Sequence, residues 1–67
     1  MVQFAVTLRK GEWTVFRDGE AVASGISRSK AIALAEEMAF EAEEAHEDVE
    51  LLVQDYTGEL RGRRSGG

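Results

Sequence analysis

The stretch EWTVFRDGEAVASG, residues 12–25, is typical of a β-hairpin with an aromatic residue on each face. Asp18-Gly19 lies at its centre. A two-residue turn of type I′ needs positive φ at both of its central positions, and Asp and Gly adopt that conformation readily. The stretch therefore predicts two antiparallel strands, near residues 13–17 and 20–24.

The register of this hairpin assigns the two aromatic side chains to opposite faces. The turn places Phe16 opposite Ala21 and Val15 opposite Val22, and directly opposite side chains share a face. By alternation, Trp13 shares the face of Val15. The larger, branched side chains are expected to form the core face: Phe4, Val6, Leu8, Trp13, Val15 and Val22. The other face is expected to stay open: Ala5, Thr7, Thr14, Phe16, Ala21 and Ala23.

The segments on both sides of the hairpin complete an α+β domain. VQFAVTLR at residues 2–9 and VELLVQD at 49–55 alternate with the period of a strand. Between them, an alanine-rich segment capped by Ser27 or Ser29 predicts a helix. The expected architecture has two layers, with one helix packed on a four-stranded, mainly antiparallel sheet in the order β-β-β-α-β. The pattern leaves open whether the fourth strand pairs with the first or the third.

The apolar face of the helix is predicted to be narrow and made of small residues. At 100° per residue one stripe collects Ala31, Leu34, Ala35, Met38, Ala39, Ala42, Ala45 and His46, with Ile32 on its edge. Small side chains let a helix approach a sheet closely, so the larger residues of the sheet can fill the space between them. Phe40 falls outside the stripe.

Length and charge predict one small domain and a basic tail. We expect residues 1–60 to form a single α+β domain and residues 61–67, RGRRSGG, to be a flexible basic Gly/Arg tail. The first 60 residues hold 5 basic and 13 acidic side chains. Because a domain with this excess of acidic residues repels nucleic acid, direct nucleic-acid binding is not expected. We predict a cytoplasmic protein without membrane contact, because the sequence has neither a long apolar run nor the pattern of a signal peptide.

The sequence contains no arrangement typical of catalysis. There is no cysteine, and His46 has no recognisable nucleophile beside it. The glycines form no phosphate-binding pattern. Glu37, Glu41 and Glu44 lie on neighbouring helical turns, which would suit a weak site for a hard cation, but a solvated acidic surface is the favoured interpretation. We therefore predict no enzyme, no catalytic residues, no cofactor and no metal.

The apolar residues outside the core indicate an interaction surface. A chain this short gains stability by burying further area against a partner, and exposed apolar patches mark interfaces. We predict a protein–protein interaction module that forms a homodimer through the open sheet face or an edge strand, or that binds an unknown protein partner. Its predicted interface residues are Phe16, Ala21, Ala23, Leu52 and Tyr56. In the alternative interpretation of this patch, the segment around Tyr56 and Leu60 covers Phe16 within one chain.

An inhibitor that mimics nucleic acid, as some phage proteins do, is a second functional hypothesis. Residues 36–50 contain eight acidic side chains and no basic one. Glu37, Glu41 and Glu44 would form its acidic surface.

Three segments together resemble a known family. GEWTVFRDGEAVAS, the helix KAIALAEEMA and VELLVQDYTGEL are similar to the small bacterial proteins of domain-of-unknown-function family 2188, over roughly residues 4–60. Those proteins carry a Gly-Trp-x-Val hairpin and a last strand followed by a turn with glycine. The resemblance implies the α+β fold and assigns no activity.

The two ends of the chain show a looser resemblance to ubiquitin-like proteins. MVQFAVTL at the start and LRGRRSGG at the end are similar to proteins whose Gly-Gly terminus is conjugated through its carboxylate. This resemblance implies that Gly66 and Gly67 would be the reacting end of a modifier. Ubiquitin-like folds place further strands after the helix, whereas this sequence predicts one.

Overall fold

A computed structural model of the chain describes residues 1–65, which form five strands and one helix. The elements are β1 (Val2–Arg9), β2 (Glu12–Arg17), β3 (Glu20–Ile26), α1 (Arg28–Glu44), β4 (Val49–Gln54) and β5 (Leu60–Ser65). The strands form one mixed sheet in the order β3-β2-β1-β4-β5, and α1 packs on one of its faces. The predicted α+β class is confirmed, but the sheet has five strands instead of four.

The fifth strand occupies most of the segment that the sequence predicted as a tail. β5 pairs antiparallel with β4, from Gln54 opposite Leu60 to Val49 opposite Ser65. LRGRRS has no apolar alternation, so nothing in its own pattern indicates a strand. It becomes one because β4 offers unpaired backbone groups along its outer side, and these bind any chain that the preceding turn returns to them. The flexible tail was therefore a wrong prediction for residues 61–65.

The position of β4 is settled by its pairing with β1. The two strands are parallel, with Val2 opposite Val49 and Phe4 opposite Leu51. All four of these side chains are buried. This arrangement gives α1 a continuous apolar surface to pack on, because the core residues of the two strands lie side by side.

The helix begins and packs as its sequence predicts. Ser27 is the N-cap, and its hydroxyl accepts a hydrogen bond from the Lys30 backbone N–H at 3.2 Å. The buried residues of the helix are all alanine: Ala31, Ala35, Ala39 and Ala42. The larger fully buried side chains come from the sheet: Phe4, Val6, Val15 and Val49. Small residues on α1 and large ones on the strands fill the layer between them.

The helix ends before the predicted stripe does. Ala45 is the C-cap, and His46 has φ +63°. The His46 N–H donates to the Glu43 carbonyl at 2.9 Å, and the Glu47 N–H donates to the Ala42 carbonyl at 3.1 Å. These two bonds form a Schellman motif, with histidine where glycine is usual. Ala45 and His46 are therefore exposed and do not extend the core.

The predicted register of the β2–β3 hairpin fails beyond its turn. Asp18 and Gly19 have the positive φ of the predicted turn, and Phe16 is opposite Ala21. The ladder then shifts twice, so that Val15 is opposite Ala23 and Trp13 is opposite Ile26. Each shift inserts an additional β3 residue, which is the definition of a β-bulge.

The bulges exchange the faces of two residues. Val22 is 46% exposed, not buried as predicted, and Ala23 packs against the core instead of lying on the open face. Adjacent apolar residues hide such a shift, because either residue satisfies the alternation. Leu8 was also predicted as core and is 47% exposed, since it lies near the end of β1.

Candidate functional site

The face of the sheet opposite α1 carries no second layer in residues 1–65. Strand pairing places one residue from each strand in line across it. Ala21 is opposite Phe16 and Phe16 is opposite Ala5, while Ala5 is opposite Leu52 and Leu52 is opposite Gly62. We call these five residues the open-face row. It unites three of the predicted interface residues: Phe16, Ala21 and Leu52.

The open-face row alternates between small and large side chains. Phe16, Ala5 and Leu52 are half-buried, and Ala21 and Gly62 at its two ends are exposed. The Arg9 guanidinium lies 5.7 Å from the centre of the Phe16 ring and covers part of it.

Glycine is required at position 62 for a steric reason. A Cβ there would overlap the backbone carbonyl oxygen of Leu51. The row therefore ends at a position that carries no side chain.

Polar side chains border the row on both sides. Toward the starts of β1 and β4, Gln3 Nε2 donates to Glu50 Oε1 at 2.8 Å, and Arg64 Nη2 lies 3.4 Å from Glu50 Oε2. Toward the ends of these two strands, Gln54 Oε1 accepts from the Leu8 backbone N–H at 2.7 Å. Leu60, opposite Gln54, interrupts this border with an exposed apolar side chain. An apolar centre with a mostly polar border matches the anatomy of a protein interface.

Charges on the open face balance, whereas the rest of the chain is acidic. Strand alternation assigns four charged residues to this face: Arg9 and Arg64 against Glu12 and Glu50. The net charge of the whole sequence is −5, so the excess acid lies elsewhere, chiefly on α1 and the turn after it. The strand residues of the open face thus carry no net charge, although the molecule as a whole is acidic.

Two of the predicted interface residues do not join this face. Ala23 lies on the helix side, as described above. Tyr56 is 93% exposed in the turn after β4, and its ring centre lies 5.3 Å from the Arg28 guanidinium at the start of α1. Tyr56 therefore belongs to the helix side, because the chain has already left the strand when it reaches this residue.

Arg28 holds together an aromatic cluster that sequence reasoning missed. Its guanidinium also lies 5.6 Å from the Trp13 ring centre, and Nη2 donates to the Gln54 carbonyl at 3.4 Å. Its Nε is buried without a hydrogen-bond partner among residues 1–65. From the start of α1, the arginine thus contacts Trp13 of β2 and the end of β4, while the nearby Tyr56 ring stays 93% exposed. Only the tertiary contact reveals this role.

The acidic surface of the helix is exposed to solvent. Glu37, Glu41 and Glu44 are all exposed. Their neighbours Glu36 and Glu43 lie 3.6 and 3.4 Å from Arg63 Nη2 on β5. A basic strand therefore offsets part of the negative charge near the carboxyl end of the helix, where carboxylates are unfavourable.

Glu41 also lines a shallow cavity of about 190 Å³ near the end of the helix. Its lining residues are Phe4, Arg17, Met38, Glu41, Ala42 and Glu47. The Arg17 guanidinium stacks 5.9 Å from the Phe4 ring centre at its floor. Residues 1–65 contain no cluster of three or more His, Cys, Asp or Glu residues that could hold a metal ion.

The turn between β4 and β5 is organised by one carboxylate. Asp55 Oδ1 accepts from Thr57 N at 2.8 Å, from Thr57 Oγ1 at 2.6 Å and from Glu59 N at 3.1 Å, and Oδ2 accepts from Arg61 Nε at 2.8 Å. The Thr57 hydroxyl is the main cause of a lowered Asp55 pKa, with further contributions from the two backbone N–H groups and Arg61. This turn delivers β5, and with it Gly62, to the open face.

Comparison with known proteins places the chain in a family. The sequence profile of DUF2188, described as an uncharacterised protein conserved in bacteria, matches residues 4–66, and the chain belongs to this family. No curated protein and no solved structure matches it. Within residues 1–65, no helix has the length and apolar character needed to cross a membrane. Gly66 and Gly67, the predicted reacting end of a modifier, lie outside the described residues.

Proposed function

We propose that this DUF2188 protein is a non-enzymatic cytoplasmic interaction module that acts as a homodimer through its open sheet face. The observation that carries the proposal is the open-face row, which runs across all five strands and contains Phe16 and Leu52. A sheet is stable when each of its apolar faces is covered. Here α1 covers only one of the two faces.

The size of the domain supports a partner on this face. A chain of 67 residues buries only about 60% of its unfolded surface on folding. Small domains without disulfides or metals commonly gain the remaining stability by association. Packing a second sheet on the row would bury Phe16, Leu52 and the two alanines of the row, Ala5 and Ala21.

The charge distribution is compatible with a second copy as the partner on this face. Two negatively charged molecules repel each other most where their acidic surfaces meet. Contact through the open faces brings together strand residues that carry no net charge and leaves the two helices on the outside. The acidic surface of Glu37, Glu41 and Glu44 then stays in water in both copies.

The experiment compares two substitutions of the same type on opposite sides. Phe16→Glu places a charge in the open-face row, and Phe40→Glu places it on the helix, where the native phenylalanine is already 60% exposed. In sedimentation equilibrium over a range of concentrations, we expect wild type and Phe40→Glu to have twice the mass of one chain. We expect Phe16→Glu to have the mass of a single chain, with an unchanged circular dichroism spectrum.

Two results would contradict the proposal. One is a wild-type chain that stays monomeric at all concentrations accessible to the measurement. The other is a Phe16→Glu variant that folds and dimerises as strongly as Phe40→Glu. Ala21→Arg provides an independent variant, because Ala21 is exposed at the edge of the row and a charge there leaves the core of the monomer untouched.

The exposed acids of α1 favour mimicry of nucleic acid as a second candidate. A row of outward carboxylates presents the charge pattern that a DNA-binding protein recognises. If this is the function, a purified basic nucleic-acid-binding protein that binds the chain will lose that binding when Glu37, Glu41 and Glu44 are replaced by lysine. The same binding should survive Phe16→Glu, which separates this candidate from the homodimer.

A further inference from the structure

We infer that the two copies pair in one defined register, in which Phe16 of each copy fills the space above Ala5 of the other and Leu52 fills the space above Ala21. This inference rests on the proposed homodimer and specifies its geometry. Its basis is the size alternation of the open-face row. From β3 to β5 the row reads small, large, small, large, and then no side chain at Gly62.

Symmetry restricts how two such rows can face each other. Neighbouring strands are about 4.8 Å apart, and packed sheets lie about 10 Å apart with their strands within about 30° of each other. The two-fold axis of a face-to-face pair lies between the two sheets. An axis that runs along the row would place Phe16 on Phe16 and Leu52 on Leu52. An axis that runs along the strands reverses the row, so large residues meet small ones when it passes midway between two strands.

Among axes that pass midway between two strands, two positions let at least four strands of one copy overlap strands of the other. An axis between β1 and β2 pairs Phe16 with Ala5 and Leu52 with Ala21, and we call this the first register. An axis between β1 and β4 pairs Phe16 with Gly62 and Leu52 with Ala5, which is the second register. An axis nearer either edge of the sheet overlaps only two strands and buries little area.

The aromatic residues favour the first register. With the axis between β1 and β2, the two Phe16 rings lie next to each other at the centre of the interface. Large aromatic anchors near the centre, away from water, contribute most to binding. The second register moves both rings outward to β5, against the exposed end of the row.

The charged residues favour the first register as well. Arg9 and Glu12 are opposite each other on β1 and β2, so an axis between these strands brings Arg9 of each copy to Glu12 of the other. In the second register Arg9 and Glu12 lie beyond the ends of β4 and β5 of the other copy.

A pair of mixing experiments with one shared variant distinguishes the registers. Ala5→Lys is mixed either with Phe16→Glu or with Leu52→Glu, and native mass spectrometry separates heterodimers from homodimers by mass. The lysine introduced at position 5 faces position 16 of the other chain in the first register and position 52 in the second. Each variant alone is expected to dimerise at least about 100-fold more weakly than wild type. We expect heterodimers from Ala5→Lys with Phe16→Glu, and none above background from Ala5→Lys with Leu52→Glu.

The outcomes separate this inference from the proposed homodimer. Wild type that is monomeric contradicts both. Wild type that is dimeric, together with recovery only in the mixture with Leu52→Glu or in neither mixture, overturns the register and leaves the homodimer standing.

A second variant covers the case that the substitution Ala5→Lys prevents folding. The double substitution Ala5→Phe with Phe16→Ala exchanges the large and small positions without adding charge. In the first register it should restore the dimer to within about tenfold of the wild-type dissociation constant, whereas Ala5→Phe alone should abolish it. A double variant as weak as Ala5→Phe alone would contradict the register.

Discussion

The two faces of the sheet are built from the same strands and differ in what covers them. On the helix side, Phe4 and Val6 are almost completely buried beneath the alanines of α1. Between them on β1, Ala5 points the other way and remains half-buried beside Phe16 and Leu52. Alternation supplies apolar residues to both faces, but only one face receives a second layer. The difference is that one chain covers its first apolar face almost completely and its second face only in part.

Replacing one phenylalanine on each face of the sheet by alanine tests this comparison, and we expect it to produce the greatest change in stability. We expect Phe4→Ala to lower the free energy of unfolding by about 3–5 kcal/mol, because it leaves a cavity in the core. Phe16→Ala should cost about 1 kcal/mol in the monomer, in line with partial burial. Urea denaturation at protein concentrations too low for dimers measures both. Phe40→Ala, on the exposed helix surface, is the control and should change stability by less than about 0.5 kcal/mol. Equal effects of Phe4→Ala and Phe16→Ala would contradict the comparison.

Enlarging an alanine tests how closely the layers approach. Ala35 is fully buried between α1 and the sheet, so Ala35→Leu should destabilise the fold by about 1–3 kcal/mol through overpacking. Ala33→Leu on the exposed side of the same helix is the matched control and should be nearly neutral. Ala5→Leu on the open face should also be nearly neutral for the monomer, as followed by thermal melting. If Ala35→Leu is tolerated as well as Ala33→Leu, the helix does not pack as closely as its alanines indicate.

Gly62→Ala tests the outer strand that completes the open face. The added Cβ would overlap the Leu51 carbonyl, so β5 should separate from β4 while the covered face stays intact. We expect faster amide hydrogen exchange in residues 60–65 with unchanged Trp13 fluorescence. Arg64→Ala on the same strand should keep the ladder protected. Protection of residues 60–65 in Gly62→Ala as strong as in wild type would show that the close approach to Leu51 is unnecessary.

The smallest expected effect is the pH dependence of the turn that delivers β5. The pKa of Asp55 is lowered in the folded chain, so its stabilising effect is present above the unfolded value of 3.8 and is lost as the pH falls below it. Amide exchange at Glu59 should therefore speed up, relative to the intrinsic rate, as the pH falls through this acid range in wild type. In Asp55→Asn, the Glu59 amide should be less protected from exchange at neutral pH. Its exchange, relative to the intrinsic rate, should also show no acceleration in this acid range. The same acid step in both proteins would assign it to another carboxylate.

Several elements could be predicted because their signals are local. Asp18-Gly19 specified its turn, Ser27 was one of two expected caps, and the buried alanines of α1 followed from helical periodicity. Phe16, Ala21 and Leu52 were correctly expected to share a face. These features depend on backbone preference and alternation within a few residues of the chain.

The errors arose where distant residues decide the outcome. The bulges around Val22 and Ala23 depend on how β3 fits against β2, and adjacent apolar residues conceal them. Tyr56 was assigned to the wrong face because its position follows from Arg28, which is far away in sequence. The strand from Leu60 to Ser65 has no apolar pattern of its own.

The α+β class, the hairpin turn and the small-residue side of the helix could be predicted from the amino-acid pattern, because each follows from local conformational preference and from periodicity. Tertiary structure alone decided that β4 pairs with β1, that a polar segment becomes β5, and that the open-face row runs through all five strands. These depend on backbone hydrogen bonds between distant strands, and such bonds are available to any residue whose backbone reaches the next strand. Side-chain patterns therefore cannot encode them completely.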